Sequence, residues 1–355
     1  MNKTIQTSST NLVFVTDKEV GISRKKKGSN FFYYYNAKEL KNKNEIERIR
    51  KLVIPPAWRE VWICKKPNGH LQATGLDFRN RKQYRYHAAW SMMRNEKKFE
   101  RLAEFGKVLV NLRKHIEKDF IKPDLSQEKV LASVIKLMEK TYIRIGNNTY
   151  EKENGSYGLT TLKDKHVTIT GNKLKLSFIG KKGIHHTIDL ESKRLTQIIK
   201  KCRDIPGKEL FQYYDEKGKT HTIDSGMVNR YIQTISNSDF TAKDFRTWAG
   251  SINILRAFKT VGFSEKKTII KKKIVEALNS VSEKLGNTSS VCKKYYVHPL
   301  LISLYENNKL GKYLNEMNEE VKKKRGGLNS DEMLLLKIFK METGKAGRNK
   351  LSGAA

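Results

Sequence analysis

Gly286-Asn-Thr-Ser-Ser-Val-Cys-Lys-Lys-Tyr-Tyr296 is the stretch on which the whole chain turns. Gly286 and Asn287 are residue types that close a helix, and Ser289 or Ser290 is a type that opens one. The segment therefore joins two helices, the second carrying Tyr296 toward His298-Pro299. Successive helical residues point about 100° apart, so only one of Tyr295 and Tyr296 is expected to face a common target. Tyr296 follows two lysines in a basic chain, a field that favours the phenolate and attracts phosphate. That makes it a candidate nucleophile for a phosphodiester. The plainer reading is a tyrosine used for packing, and only its combination with other groups decides between them.

Around this segment the pattern is helical from about Glu96 to about residue 341. Phe99, Leu102, Phe105, Leu109 and Leu112 recur at helical spacing, as do Val130, Val134, Leu137 and Met138. A β insert interrupts it: Val167–Thr170, Lys173–Ile179 and Ile184–Leu190. The first 90 or so residues read instead as strands, at Phe31–Tyr35, Val61–Lys65, Leu71–Gly75 and Gln83–His87, with one helix from about Asn44 to Leu52 stopped by Pro55-Pro56. The expected class is α+β, a small β-rich N-terminal domain (1–92) plus a larger, mainly α domain with a β-hairpin insert (93–320). A C-terminal helix and frayed basic tail (321–355) complete the chain.

The 355 residues carry 71 Lys and Arg against 37 Asp and Glu, a formal net charge of +34. Such an excess points to a polyanionic partner, nucleic acid before an anionic membrane surface. No apolar run is long enough to span a bilayer and the N-terminus lacks a signal-peptide layout, so a cytoplasmic protein is expected. Cys64, Cys202 and Cys292 stand far apart, which supports neither a zinc site nor a disulfide framework.

Three basic residues have settings suited to that phosphate. Arg144, in Tyr-Ile-Arg-Ile-Gly146, is read as closing a long helix, with Gly146 permitting the reversal. Its planar fork suits phosphate oxygens, although a last-turn arginine facing the helix dipole would look the same. Lys181 is placed at a hairpin tip between Gly180 and Gly183, because Leu174, Leu176 and Phe178 alternate before it and Ile184, Ile188 and Leu190 after it. It is either a proton donor to a departing oxygen or a solvated turn lysine. Arg246 opens a helix behind a Thr241/Asp244 capping pair, at the margin of the stripe Phe245, Trp248, Ile252, Leu255 and Phe258. It is either a fixed phosphate clamp or a snorkelling boundary arginine.

Asp77 to His87 interleaves basic and aromatic residues on an expected strand, with Gln83, Arg85 and His87 facing one way and Tyr84 and Tyr86 the other. Arg81, Lys82, Gln83, Tyr84 and Tyr86 are therefore candidates for DNA contact. The runs Arg24–Lys27, Lys271–Lys273 and Lys322–Arg325 read as generic phosphate-contacting or solvated faces.

Taken in order, these pieces resemble the small type IB DNA topoisomerases of bacteria and poxviruses, the bacterial branch most closely. Ile54-Pro-Pro-Ala-Trp-Arg-Glu-Val-Trp62, Pro67–Gly75 and Arg81–His87 look like that family's DNA-clamping N-terminal domain. Tyr-Ile-Arg144-Ile-Gly, Gly-Lys181, Thr-Ala-Lys-Asp-Phe-Arg246-Thr and Tyr296 are similar to its two catalytic arginines, catalytic lysine and nucleophile. Asn287 stands where the poxvirus and nuclear enzymes carry histidine; it can donate a hydrogen bond but cannot be cationic. Tyr150 and Lys243 match further active-site neighbours by position.

The resemblance implies an ATP-independent isomerase that relaxes duplex DNA through a 3′-phosphotyrosyl intermediate. It implies no cofactor or metal, no small-molecule substrate, a monomer, and a nucleoid-associated location. Two other readings are open. A tyrosine recombinase would be expected to carry histidine shortly before the second arginine, where this chain has Lys243-Asp-Phe. A non-enzymatic nucleoid protein would account for the charge but not for the separated matches.

Overall fold

A computed structural model describes the backbone of residues 4–7, 10–78, 80–317 and 327–351, and the side chains of 11–78, 80–149, 151–317 and 327–342. The chain divides into two units, Met1–Lys98 and Phe99–Ala355.

In the first unit, β1 (Thr4–Thr7) and β2 (Thr10–Val13) pair as an antiparallel ribbon. β3 (Ile22–Lys27), β4 (Asn30–Tyr35), β5 (Lys38–Glu39), β6 (Arg59–Ile63), β7 (Leu71–Leu76) and β8 (Lys82–Tyr86) form an antiparallel sheet of order β5-β4-β3-β6-β7-β8. α1 (Lys43–Lys51) starts at Asn42, whose side chain accepts from the Glu45 amide, and ends at Leu52 ahead of the two prolines. Ile22, Ile49, Val61, Ile63 and Ala73 form the main buried cluster, so α1 contributes a single core residue. Of the Arg24–Lys27 run, Lys25, Lys26 and Lys27 are exposed on β3, and Arg24 alone departs from the reading of a solvated face. Arg24 donates to the carbonyls of Ile54, Pro55 and Trp58 at 3.2, 2.9 and 2.8 Å. Carbonyls of the proline-rich turn thus claim this guanidinium, Pro55 O while also accepting from the Trp58 amide at 3.1 Å.

α2 (Ala88–Phe120) starts at Ala88, earlier than about Glu96, because its first turns carry no apolar periodicity. It is followed by α3 (Gln127–Thr141), α4 (Asn148–Asn154), a three-stranded sheet of β9 (Val167–Thr170), β10 (Lys173–Ile179) and β11 (His185–Glu191), and α5 (Lys193–Arg203). A short hairpin that the sequence reading missed, β12 (Gln212–Tyr214) and β13 (Thr220–Thr222), precedes α6 (Ser225–Ser236) and α7 (Ala242–Val261). α8 (Lys267–Leu285), α9 (Ser289–Tyr295), α10 (Pro299–Glu306), α11 (Gly311–Leu314) and α12 (Ser330–Leu351) complete the unit. α12 continues into the stretch expected to fray, while Lys322–Arg325 and residues 352–355 lie outside the described residues.

One hydrophobic core runs through this unit, and α7 is buried on nearly every side: Phe245, Trp248, Ile252, Ile254, Leu255 and Phe258 are all inside. α12 is tied to it by charge. Glu332 accepts from Trp248 Nε1 at 3.1 Å and takes a bidentate pair from Arg113 at 2.7 and 2.8 Å. Among the described residues no helix is long and apolar enough to cross a membrane. All three cysteines are buried free thiols.

Candidate active site

Tyr296 is the first residue past α9, in the C-cap position. The helix is capped by Thr288, whose hydroxyl accepts from the Val291 amide, rather than by either serine that follows. α8 ends at Gly286, a left-handed residue at φ +57°, so the two helices meet at the turn the sequence indicated. α7 fixes the tyrosine's backbone. A Cβ added to Gly250 would fall 2.4 Å from the Tyr296 carbonyl oxygen, so the two chains approach as only glycine allows. Ser251 Oγ reaches the same oxygen at 3.5 Å and accepts from the His298 amide at 3.1 Å.

Arg246 departs most from its sequence reading. It is 4 % exposed and therefore inside the stripe, not at its margin. Asp244 accepts from the Thr241 amide and hydroxyl at 2.8 and 2.9 Å, holding the first turn of the helix that carries it. Its guanidinium carbon lies 5.1 Å from the centre of the Tyr296 ring, and Nη2 donates to Leu285 O at 2.8 Å. Nε and Nη1 are buried with no hydrogen-bond partner. Burial pushes the Arg246 pKa down to about 10, with Tyr296 opposing the fall and Arg144 adding to it.

Arg144 also sits differently from its reading. α3 ends at Thr141, and Tyr142, left-handed at φ 57°, is its cap. Arg144 therefore follows the helix in a non-helical segment and is not a last-turn arginine. Gly146 serves a different purpose from a helix stop, since Gly158 crosses it so closely that a Cβ on Gly158 would lie 2.5 Å from Gly146 Cα. The Leu159 amide donates to Arg144 O at 2.9 Å across that crossing. From there Arg144 Nη1 reaches Gly286 O at 3.1 Å, and Nη2 donates to Asn287 Oδ1. Asn287 Nδ2 makes a long contact, 3.4 Å, to Leu285 O, and the amide also neighbours the Cys292 thiol.

Lys181 stands at the tip of the β10–β11 hairpin, where Lys182 and Gly183 take φ of 67° and 76°. Its side chain remains open to solvent on one side, yet the protein packed around the ammonium, and next the charge of Arg144, hold its pKa below the usual lysine value. For Tyr296, burial alone would raise the phenol pKa. The charges of Arg246 and next Arg144, with Lys243 adding, outweigh it and leave the value below that of an ordinary tyrosine.

Arg144, Lys181, Lys243, Asn287 and Tyr296 thus line one pocket of about 300 Å³, with Lys182, Thr288 and Tyr295 on its rim. Both tyrosines border it, contrary to the expectation that only one would, because Tyr296 has left the helical geometry. Arg246 lies over the Tyr296 ring, and Lys294 over that of Tyr295. Sequence reading missed His186, whose ring packs against the hairpin's Gly180 and against Gly286.

The β8 candidates belong to the other unit. Asp77 accepts from Arg81 Nε at 2.8 Å and from Gln83 Nε2 at 3.0 Å, and Lys82 pairs with Asp17 at 2.5 Å. Tyr84 and Tyr86 are exposed and stacked, ring centres 6.1 Å apart. Tyr150 lies in α4, with its side chain outside the described residues. Among the described residues no group of three His, Cys, Asp or Glu is placed to hold a metal ion.

Residues 81–324 match the family described as the catalytic core of eukaryotic DNA topoisomerase I, and residues 30–77 match the N-terminal domain of bacterial DNA topoisomerase IB. A DNA topoisomerase 1B of Acanthamoeba polyphaga mimivirus is 36% identical over 299 residues, covering 81% of this chain and 88% of its own. The DNA topoisomerase 1B of Vaccinia virus (strain Copenhagen) is 26% identical over 65% of this chain and 71% of its own. A DNA topoisomerase 1 of Candida albicans is 28% identical over 44% of this chain and 19% of its own.

Proposed function

This chain belongs to the type IB DNA topoisomerases, isomerases whose substrate is DNA, and on that premise we propose that it relaxes supercoiled duplex DNA by transiently breaking one strand at Tyr296. The observation that carries this reading is a half-buried phenol with a lowered pKa, with Arg246 over its ring and with Arg144 and Lys181 lining the same pocket.

In the proposed reaction the Tyr296 phenol loses its proton to water, and its Oη then forms a bond to phosphorus as the P–O5′ bond breaks in line. The strand is left with a 3′-phosphotyrosyl end and a 5′-hydroxyl. Arg246 and Arg144 supply donors to the nonbridging oxygens, where charge builds in the pentacoordinate transition state. Nε and Nη1 of Arg246, unpartnered in the free protein, are donors already desolvated for that purpose. Asn287 adds one neutral donor by exchanging its long contact to Leu285 O for a phosphate oxygen. Lys181 gives its proton to O5′, and a lowered pKa makes that transfer easier. Lys243 adds positive potential, and Tyr150 is taken as a neighbour of the site on its sequence position alone.

The new ester keeps the energy of the broken one, so the reverse attack by the 5′-hydroxyl needs neither ATP nor an obligatory metal. Swivelling of the duplex between the two steps changes the linking number. β8, with Arg81, Lys82, Gln83 and the Tyr84–Tyr86 stack, serves in holding the duplex. The enzyme acts as a monomer on the nucleoid DNA of the cytoplasm.

The test is relaxation of supercoiled plasmid in EDTA, together with denaturant trapping of protein on labelled duplex. The parent protein is expected to relax the plasmid and to leave a covalent adduct whose peptide contains Tyr296. Tyr296→Phe is expected to bind DNA and do neither. Relaxation that survives this substitution unaltered would remove Tyr296 as the nucleophile.

A further inference from the structure

The mechanism above leaves one group beside the pocket unused. His186 is paired across the β10–β11 ladder with Phe178, and the two rings stack at 5.0 Å and 19°. Its other contacts are with two glycines far apart in sequence. A Cβ built on Gly180 would fall 2.6 Å from His186 Cδ2 and Nε2, and one built on Gly286 would fall 2.2 Å from Cε1. The imidazole thus occupies the space that a side chain at either position would need.

Each of those glycines is attached to the site. Gly180 precedes Lys181 and fixes the base of the tip, its amide donating to Ile184 O at 2.7 Å. Gly286 precedes Asn287, and its carbonyl accepts from Arg144 Nη1 at 3.1 Å. One flat ring therefore separates the backbone that presents the lysine from the backbone that anchors the arginine and the amide.

We propose that His186 is a positioning residue for strand cleavage, a spacer whose ring, wedged between Gly180 and Gly286, sets where Lys181 stands relative to Arg144 and Asn287. Burial first, and after it the charges of Arg144 and Arg246, hold the imidazole pKa below its usual value, so the spacer stays neutral at neutral pH. A neutral ring suits this place, because a cation there would repel the two arginines that must receive a phosphate. With the spacer gone, the hairpin tip closes on the turn and Lys181 Nζ is displaced from O5′. A misplacement of about 1 Å costs on the order of 10²-fold in rate.

The inference rests on the reading of Lys181 as the proton donor, and the experiment separates the two. Single-turnover cleavage is measured for the parent, His186→Ala and Lys181→Ala on two duplexes that share a cleavage site first mapped with the parent. One carries the natural 5′ oxygen at that site and the other a 5′ bridging sulfur. A thiolate leaves without needing a proton, so a defect in proton delivery disappears on the sulfur duplex while a defect in phosphate binding or folding persists.

The expected result is that both variants lose about 10²-fold on the oxygen duplex and recover to within about threefold of the parent on the sulfur duplex. His186→Ala that cleaves the oxygen duplex as fast as the parent overturns the proposal, as does a loss of equal size on both duplexes. Lys181→Ala that fails to recover on sulfur overturns the proton-donor reading, and the spacer role falls with it. If His186→Ala melts below the assay temperature, His186→Asn, which keeps a flat group on the Phe178 ring but lacks the Nε2 and Cε1 atoms that face Gly180 and Gly286, is put through the same comparison with the same criteria.

Discussion

Replacing Arg246 by methionine is expected to stabilise the DNA-free protein while removing most of its activity. Holding the guanidinium charged in the fold costs roughly 3 kcal/mol, from a pKa pushed from 12.5 down to about 10 at ~1.4 kcal/mol per pH unit. A base whose pKa falls on folding is charged in both states below about pH 10, and there its penalty is felt in full; it fades as pH rises from that value toward 12.5. Methionine keeps much of the volume and discards the charge. It also forfeits the Nη2 bond and strands the Leu285 carbonyl, at a cost of about 1–2 kcal/mol. The net gain is about 1–2 kcal/mol, or about 4 °C in melting temperature for a domain of this size. Cleavage is expected to fall by about 10²–10³, the usual loss for a preorganised donor. The Tyr296 phenol would also move back up once its largest opposing charge is gone. Thermal melts without DNA and single-turnover cleavage on a duplex measure the two effects. A methionine variant that melts several degrees below the parent would show that the guanidinium is a structural tie to Leu285, and the reasoning would fail.

Cleavage needs a deprotonated phenol and a protonated lysine, so its rate should rise and then fall with pH. Both limbs are expected on the acid side of the free-group values of 10.0 for tyrosine and 10.5 for lysine, read by single-turnover rates across pH. Gly250→Ala improves helix propensity yet forces a Cβ to within 2.4 Å of the Tyr296 carbonyl, so cleavage is expected to drop about 10²-fold with the fold intact by circular dichroism. Glu332→Gln breaks a buried ion pair and is expected to destabilise by about 3 kcal/mol in denaturant titrations at neutral pH. Burial raises the Glu332 pKa, but Arg113 more than compensates and holds it below 4.5. Its stabilisation is thus present above that pH and lost below it, and the gap between parent and variant should close in acid.

The hairpin bearing Lys181 and the turn before Tyr296 were legible because alternation and glycine punctuation are local signals. The end of α3 was not. A helix closed by a left-handed tyrosine carries no sequence mark, and Gly146, the obvious stop, is a glycine kept for a crossing chain. Arg246 was misplaced for a related reason. In the first turns of α7 the buried arc runs past Phe245 and Trp248 to take in Arg246, Thr247 and Gly250, leaving Lys243 as the exposed position, so a stripe drawn from apolar residues alone was too narrow. His186 was overlooked because its partners, Gly180 and Gly286, lie on opposite sides of a long stretch of chain. Period-two alternation puts it on the Phe178 side of the ladder, and that was the one available hint.

The contact between Gly250 and the Tyr296 carbonyl makes the nucleophile and Arg246 parts of one rigid body, whereas Lys181 belongs to a two-stranded tip. Under the proposed reaction, the attached end of the broken strand rides on a core helix and the departing end is released by a surface loop. Accuracy of rejoining and speed of escape would then be inherited from different parts of the chain, so selection could tune either one while leaving the other alone.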